Sequence, residues 1–138
     1  MALHHFATAT LIHPILVNFT AALIPVSVGS DLLAWYRKDE SLRSTGWWTL
    51  FYGTLITPLT AITGWLFWAK DDNGTMGMEV HKWLGTGLAV LLVGLLWWRW
   101  RLHREKRWVS VGYASVAIVF AVLLMVQGHL GGVKVFSS

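Results

Sequence analysis

The stretch Val109–Gln127, VSVGYASVAIVFAVLLMVQ, decides the architecture. It contains no Asp, Glu, Lys, Arg or His. A helix of about 20 apolar residues crosses the hydrocarbon core of a bilayer. Three more apolar stretches of that order precede it, at about Ile12–Tyr36, Gly46–Ala69 and Val80–Trp98. The connections between them are short, which makes consecutive helices antiparallel neighbours. The expected fold is an all-α membrane bundle of four helices, running up and down, in a single domain over residues 1–138.

Composition agrees. Hydrophobic residues make up 55% of the 138 residues and charged residues 13%, against about 25% charged in soluble domains. Mean hydropathy is +0.54. A soluble enzyme, a disordered chain and a collagen-like chain are all disfavoured. The net charge of +4 does not indicate nucleic acid, because the cations are clustered. Arg37, Lys38, Arg43, Arg99, Arg101, Arg104, Lys106 and Arg107 fall in the first-to-second and third-to-fourth connections. The other side holds Lys70, Lys82 and Lys134. By the positive-inside rule both termini and the middle connection face the periplasm of a bacterial inner membrane. No Lys or Arg precedes the first apolar run, so no cleavable leader is expected.

The tryptophans fit two interface belts: Trp35, Trp47, Trp48, Trp97, Trp98, Trp100 and Trp108 on the inner side, and Trp65, Trp68 and Trp83 on the outer. Pro14 suits the first turn of helix one, while Pro25 and Pro58 lie inside helices. Small residues stripe helix two (Gly53, Thr57, Thr60, Ala61, Gly64) and helix four (Ala114, Ala117, Ala121, Gly128). The stripes suit close helix packing or room for a flat macrocycle.

With no cysteine, the chain has no disulfide, thiolate metal site or covalent c-type haem. Hydrolase and nucleotide-binding motifs are missing too. The chemistry-bearing residues are histidines. His13 at the start of helix one, His81 at the start of helix three and His129 at the end of helix four all fall at the outer level. Neutral imidazole ligates both haem iron and metal ions. His81 and His129 are the favoured axial pair for a b-type haem, with His13 as alternate ligand or hydrogen-bond partner. Gly85 would open a flat face beside His81, and Lys82 or Lys134 could meet a propionate. A three-histidine copper or zinc site is the rival, with Met76 and Met78 nearby. His103 among the arginines reads as solvated, and His4 and His5 as an outer tail. Asp31, near the inner end of helix one, needs Arg37, Arg43 or the Arg99–Arg107 cluster as partner. Asn18 could orient a histidine or bridge helices.

Ile12-His13-Pro14-Ile15-Leu16-Val17-Asn18-Phe19, Asp31, His81-Lys82-Trp83-Leu84-Gly85 and Gly128-His129-Leu130-Gly131-Gly132 together resemble the bacterial four-helix membrane family labelled domain of unknown function 2231. The resemblance covers nearly the whole chain and implies the four-helix fold. The family pattern has a further histidine and proline along helix one, where this chain has Asn18 and Thr20.

The expected function is a small b-type cytochrome that carries electrons at the periplasmic side, with a quinol or another redox protein as partner. The alternatives are an accessory subunit of a respiratory or photosynthetic complex, or a periplasm-facing copper or zinc protein. A membrane-protein partner or a homo-oligomer is expected in each case.

Overall fold

Four helices follow one another along the chain: α1 (Ala2–Arg37), α2 (Glu40–Trp68), α3 (Met76–Arg104) and α4 (Val111–Phe136). The computed structural model describes the backbone of residues 2–68 and 76–136 and the side chains of residues 12–66 and 79–131. The buried positions step by fours and threes. On α1 they are Thr20, Ile24, Ser27, Asp31 and Ala34, and on α3 Leu88, Leu92, Leu95, Arg99 and Leu102. On α4 they are Tyr113, Ala117, Phe120 and Ala121, followed by the partly buried Leu124. A spacing near 3.5 residues keeps one seam of each helix on the bundle axis.

The helices pack in the ring order α1, α2, α3, α4, with α4 closing back on α1. The α1–α2 contact is the most extensive, and the diagonal pairs α1/α3 and α2/α4 make no backbone contact among the described residues. Consecutive helices are antiparallel, so α1 and α3 run parallel across the diagonal. Close approach of α1 and α2 depends on missing side chains: a Cβ on Gly53 would lie 3.0 Å from Ile24 Cδ1 and 3.3 Å from Leu23 Cβ. Gly53 of the α2 stripe therefore serves helix packing.

The outward faces are apolar. Val90, Leu91, Val119 and Leu66 are each more than half exposed, as expected of side chains that meet lipid. Three segments are long and apolar enough to cross a membrane: Ile12–Arg37, Glu79–Arg104 and Val111–Gly131. The 29-residue α2 falls outside that set. Its threonines lower its hydropathy, yet their polarity is spent within the helix. The hydroxyls of Thr45, Thr49, Thr54, Thr57, Thr60 and Thr63 each donate to the carbonyl four residues back, at 2.7–3.1 Å.

Helix ends are set by local chemistry. Lys38 and Lys106 have φ of 56° and 52°, the left-handed conformation that terminates helices. Asp39 N–H then donates to Ala34 O (3.2 Å), and Arg107 N–H to Leu102 O (2.9 Å). Asp39 at once caps α2, its Oδ1 accepting from Ser41 N–H at 2.8 Å. Ser110 Oγ caps α4 through Tyr113 N–H at 3.1 Å. Pro14 is not in a first turn: α1 runs through it from Ala2, with Pro25 also inside. A proline costs the helix one N–H and strands one carbonyl, which long membrane helices accommodate.

The eight clustered cations collect at one end of the bundle, where α1 ends, α2 begins and α3 turns into α4. The beginnings of α1 and α3 and the end of α4 form the other, histidine-bearing end.

Candidate functional site

Two polar groups deep in the arginine end set the register. Arg99 Nε and Nη2 donate to Asp31 Oδ2 and Oδ1 at 2.9 and 2.8 Å, and Nη2 also donates to Arg43 O at 2.9 Å. Arg99 is 0% and Asp31 3% exposed. The pair spans the α1/α3 diagonal. Gly46 makes room for it, since a Cβ there would collide with Asp31 Oδ1. Ser27 Oγ–H donates to Gly46 O at 2.7 Å, tying α1 to α2 at the same level. Of the partners expected for Asp31, Arg99 is thus the one that binds it directly.

The separation of His13 from Asp31 along α1 equals that of His81 from Arg99 along α3. It amounts to about five turns of helix, or ~27 Å. In each helix the histidine and the charged residue therefore share a side. Because α1 and α3 are parallel and pinned at Asp31–Arg99, His13 and His81 come level at the other end.

Each imidazole rests on a glycine of the next helix. A Cβ on Gly64 of α2 would sit 2.9 Å from His13 Cε1, and one on Gly131 of α4 would sit 2.8 Å from His81 Cε1. His13 Nδ1 lies 3.1 Å from both Thr60 O and Thr63 Oγ1. The single Thr63 hydroxyl proton is directed at Leu59 O and Thr60 O, so its oxygen accepts. Thr60 O can only accept. The proton of a neutral His13 therefore sits on Nδ1, and Nε2 keeps its lone pair. Donation from one ring nitrogen to a carbonyl is how ligating histidines are held. His81 differs: its Nδ1 is buried without a hydrogen-bond partner among the described residues.

Gln127 closes the site from α4. Its Nε2 donates to His81 O at 2.7 Å and lies 2.6 Å from where a Cβ on Gly85 would be. The face expected to lie open at Gly85 is thus filled by the Gln127 carboxamide. Gln127 Oε1 is buried and finds no partner among the described residues.

His129 stands apart from this arrangement. It is two residues past Gln127 and two before Gly131, and two residues turn a helix by ~200°. Gln127 and Gly131 face α3, so His129 points the other way and is exposed. His13 and His81 thus lie at one level, and His129 is directed away from the α3 face that carries His81. Among the described residues no three or more His, Cys, Asp or Glu side chains gather into a metal-holding group. A three-histidine cluster is not assembled among them.

Lys82 is engaged at the α2–α3 seam. Its Nζ is 3.6 Å from Glu79 Oε1 and 4.4 Å from the Trp65 ring centroid. Trp65 Nε1–H in turn donates to Thr86 Oγ1 at 3.1 Å. Asn18 is exposed. Lys134, His4, His5, Met76 and Met78 lie outside the residues whose side chains are described.

Sequence reasoning missed Thr60, Thr63 and Gln127. A polar amide at the end of a charge-free run was a signal for Gln127; the threonines were hidden in a packing stripe. His103, expected in solvent, is half-buried with its ring stacked on Trp47 (4.7 Å between centroids, 12° between planes).

Residues 9–138 match the model of a family described as predicted membrane protein (DUF2231), and the chain belongs to that family. Neither the curated proteins nor the solved structures contain a match to it.

Proposed function

We propose that this DUF2231 membrane protein is a multi-pass b-type cytochrome of the bacterial inner membrane, with His13 and His81 as axial ligands of a haem at the histidine end. The observation that carries this reading is the diagonal pair itself. Two imidazoles from parallel helices stand at one level, and the Nδ1–H of His13 is bound to a backbone carbonyl, which leaves the lone pair on Nε2. His13 thereby takes the place expected of His129.

The donor set fits. The site offers neutral nitrogen ligands and no thiolate, with Thr60, Thr63 and Gln127 as the polar groups beside them. Bound haem supplies reversible one-electron chemistry. If His13 and His81 both held the iron, no ligand position would be left for a substrate, which favours electron carriage over catalysis. Burial and the two ligands tune the potential. Gln127 holds the end of α4 against His81, and Lys82, next to His81, is the cation nearest to hand for a propionate. By the positive-inside rule the arginine end belongs in the cytoplasm and the haem, with both termini, at the periplasmic face. A quinol or membrane-protein partner completes the electron path, since one haem near one face does not bridge the bilayer.

The test is an absorption spectrum of the detergent-purified protein before and after dithionite, with a pyridine haemochrome assay. A Soret band and a sharp reduced α-band of b type are expected, lost in His13→Ala and His81→Ala and retained in His129→Ala. A protein that stays colourless after haem supplementation overturns the reading. Stoichiometric copper or zinc in that colourless protein would assign the two histidines to a metal ion. Neither haem nor metal, with constant co-purifying partners, would make it an accessory subunit.

A further inference from the structure

The arginine end holds polar side-chain nitrogens that no described residue satisfies. Arg43 Nη1, Arg99 Nη1 and His103 Nδ1 are all buried without a hydrogen-bond partner. They sit at one level of the bundle: Arg99 Nη2 bonds Arg43 O at 2.9 Å, and His103 follows Arg99 by one turn on the same side of α3. Trp47, itself 8% exposed, fixes the His103 ring by stacking. Each unsatisfied buried donor is costly, more so on a charged group, and native structures rarely leave one without an acceptor.

Charge tells which acceptor. Arg99 is balanced by Asp31. Arg43, with a side chain 11% exposed, pairs with Glu40, whose side chain is 64% exposed and therefore screened. One enclosed guanidinium remains poorly neutralised. Water would satisfy the hydrogen bonds and leave the charge. An oxyanion satisfies both, and guanidinium groups match phosphate oxygens in pairs. The surrounding Arg37, Lys38, Arg101, Arg104, Lys106 and Arg107 raise the local potential for anions. Basic pockets between membrane helices at such an end accept anionic headgroups. The cover is aromatic: Trp108, in the α3–α4 connection, lies 5.6 Å from Arg43 Cζ and 5.4 Å from Lys38 Nζ.

We propose that Arg43, Arg99 and His103 form a phosphate-binding site, filled by an anionic phospholipid headgroup or by free phosphate. The site lies about five helical turns from the histidine pair, so it stands or falls independently of the haem reading.

The experiment uses the full chain, delipidated in neutral detergent, and follows its melting temperature on titration with phosphatidylglycerol, phosphatidylcholine or inorganic phosphate at constant ionic strength. A saturable rise with phosphatidylglycerol or phosphate, and none with phosphatidylcholine, is expected. Saturation by phosphatidylglycerol alone identifies a lipid headgroup; saturation by inorganic phosphate identifies the free ion. Arg43→Gln keeps the carbonyl that Arg99 needs, and His103→Phe keeps the stack on Trp47. Each should weaken the apparent affinity about tenfold, read as the ligand-induced rise from that variant's own ligand-free melting temperature. The exposed Arg101→Gln serves as control and should bind as the wild type does. No saturable rise with either phosphate source means that water alone fills the cluster, and overturns the proposal. Equal loss in Arg101→Gln and Arg43→Gln means diffuse surface charge, and overturns it too.

Discussion

Asp31→Asn is the most informative single change to the bundle. The carboxylate accepts two charge-assisted bonds from an arginine that is 0% exposed. Asparagine can still accept one of them, but Arg99 becomes an unpaired cation in an enclosed site. Breaking a buried pair from one side costs about 3–5 kcal/mol. Interhelical hydrogen bonds in membrane bundles are worth less, ~0.6–1.7 kcal/mol each. Two of them set a floor of about 1–3 kcal/mol, and the stranded charge raises it. The expected loss is ~3 kcal/mol, roughly a hundredfold in the folding equilibrium. Arg99→Met should cost a similar amount, because Asp31 is then stranded. The double variant Asp31→Leu/Arg99→Met should recover most of the loss, since an apolar pair of like volume often replaces a buried ion pair at little cost. Reversible unfolding by dodecyl sulfate in mixed micelles, followed by the fluorescence of the ten tryptophans, measures all four corners of the cycle. The reasoning is refuted if each single variant loses under about 1 kcal/mol, or if the double variant loses the sum of the two.

Gly46→Ala should approach the cost of Asp31→Asn, because the added Cβ falls on Asp31 Oδ1; a melting curve equal to the wild type's would show that the carboxylate can step aside. Ser27→Ala leaves Gly46 O without its 2.7 Å side-chain bond and should cost about 1 kcal/mol, read in the same unfolding assay. Gly131→Ala pushes on His81 Cε1 and should shift the absorption bands and midpoint potential of the haem-bound protein without removing a ligand; an unaltered spectrum would place His81 elsewhere. Thr63→Val removes one of two acceptors for His13 Nδ1–H and should lower stability by less than about 1 kcal/mol, as Thr60 O remains; loss of haem in this variant would contradict the assigned proton position.

Residues and their order alone settle the four helices. Runs such as Val109–Gln127 satisfy their backbone in lipid as helices, because a barrel strand is only about half as long. The clustering of the cations at one end, the helix-packing role of Gly53 and the need of Asp31 for a basic partner were legible for the same reason, because each follows from composition along one helix. The histidine pairing was not. Whether His13 or His129 meets His81 depends on how each helix is rotated about its axis. Apolar surroundings on every side leave almost nothing from which to read that rotation. The equal spacing of histidine and charged residue in α1 and α3 did hold the answer, but only once Asp31 is known to pair with Arg99. Tertiary contact made that choice, since of several arginines only Arg99 reaches the axis at the depth of Asp31. The same packing turned α4 so that Gln127 and Gly131 face inward and His129 outward, because neighbours two apart on any α-helix point in nearly opposite directions.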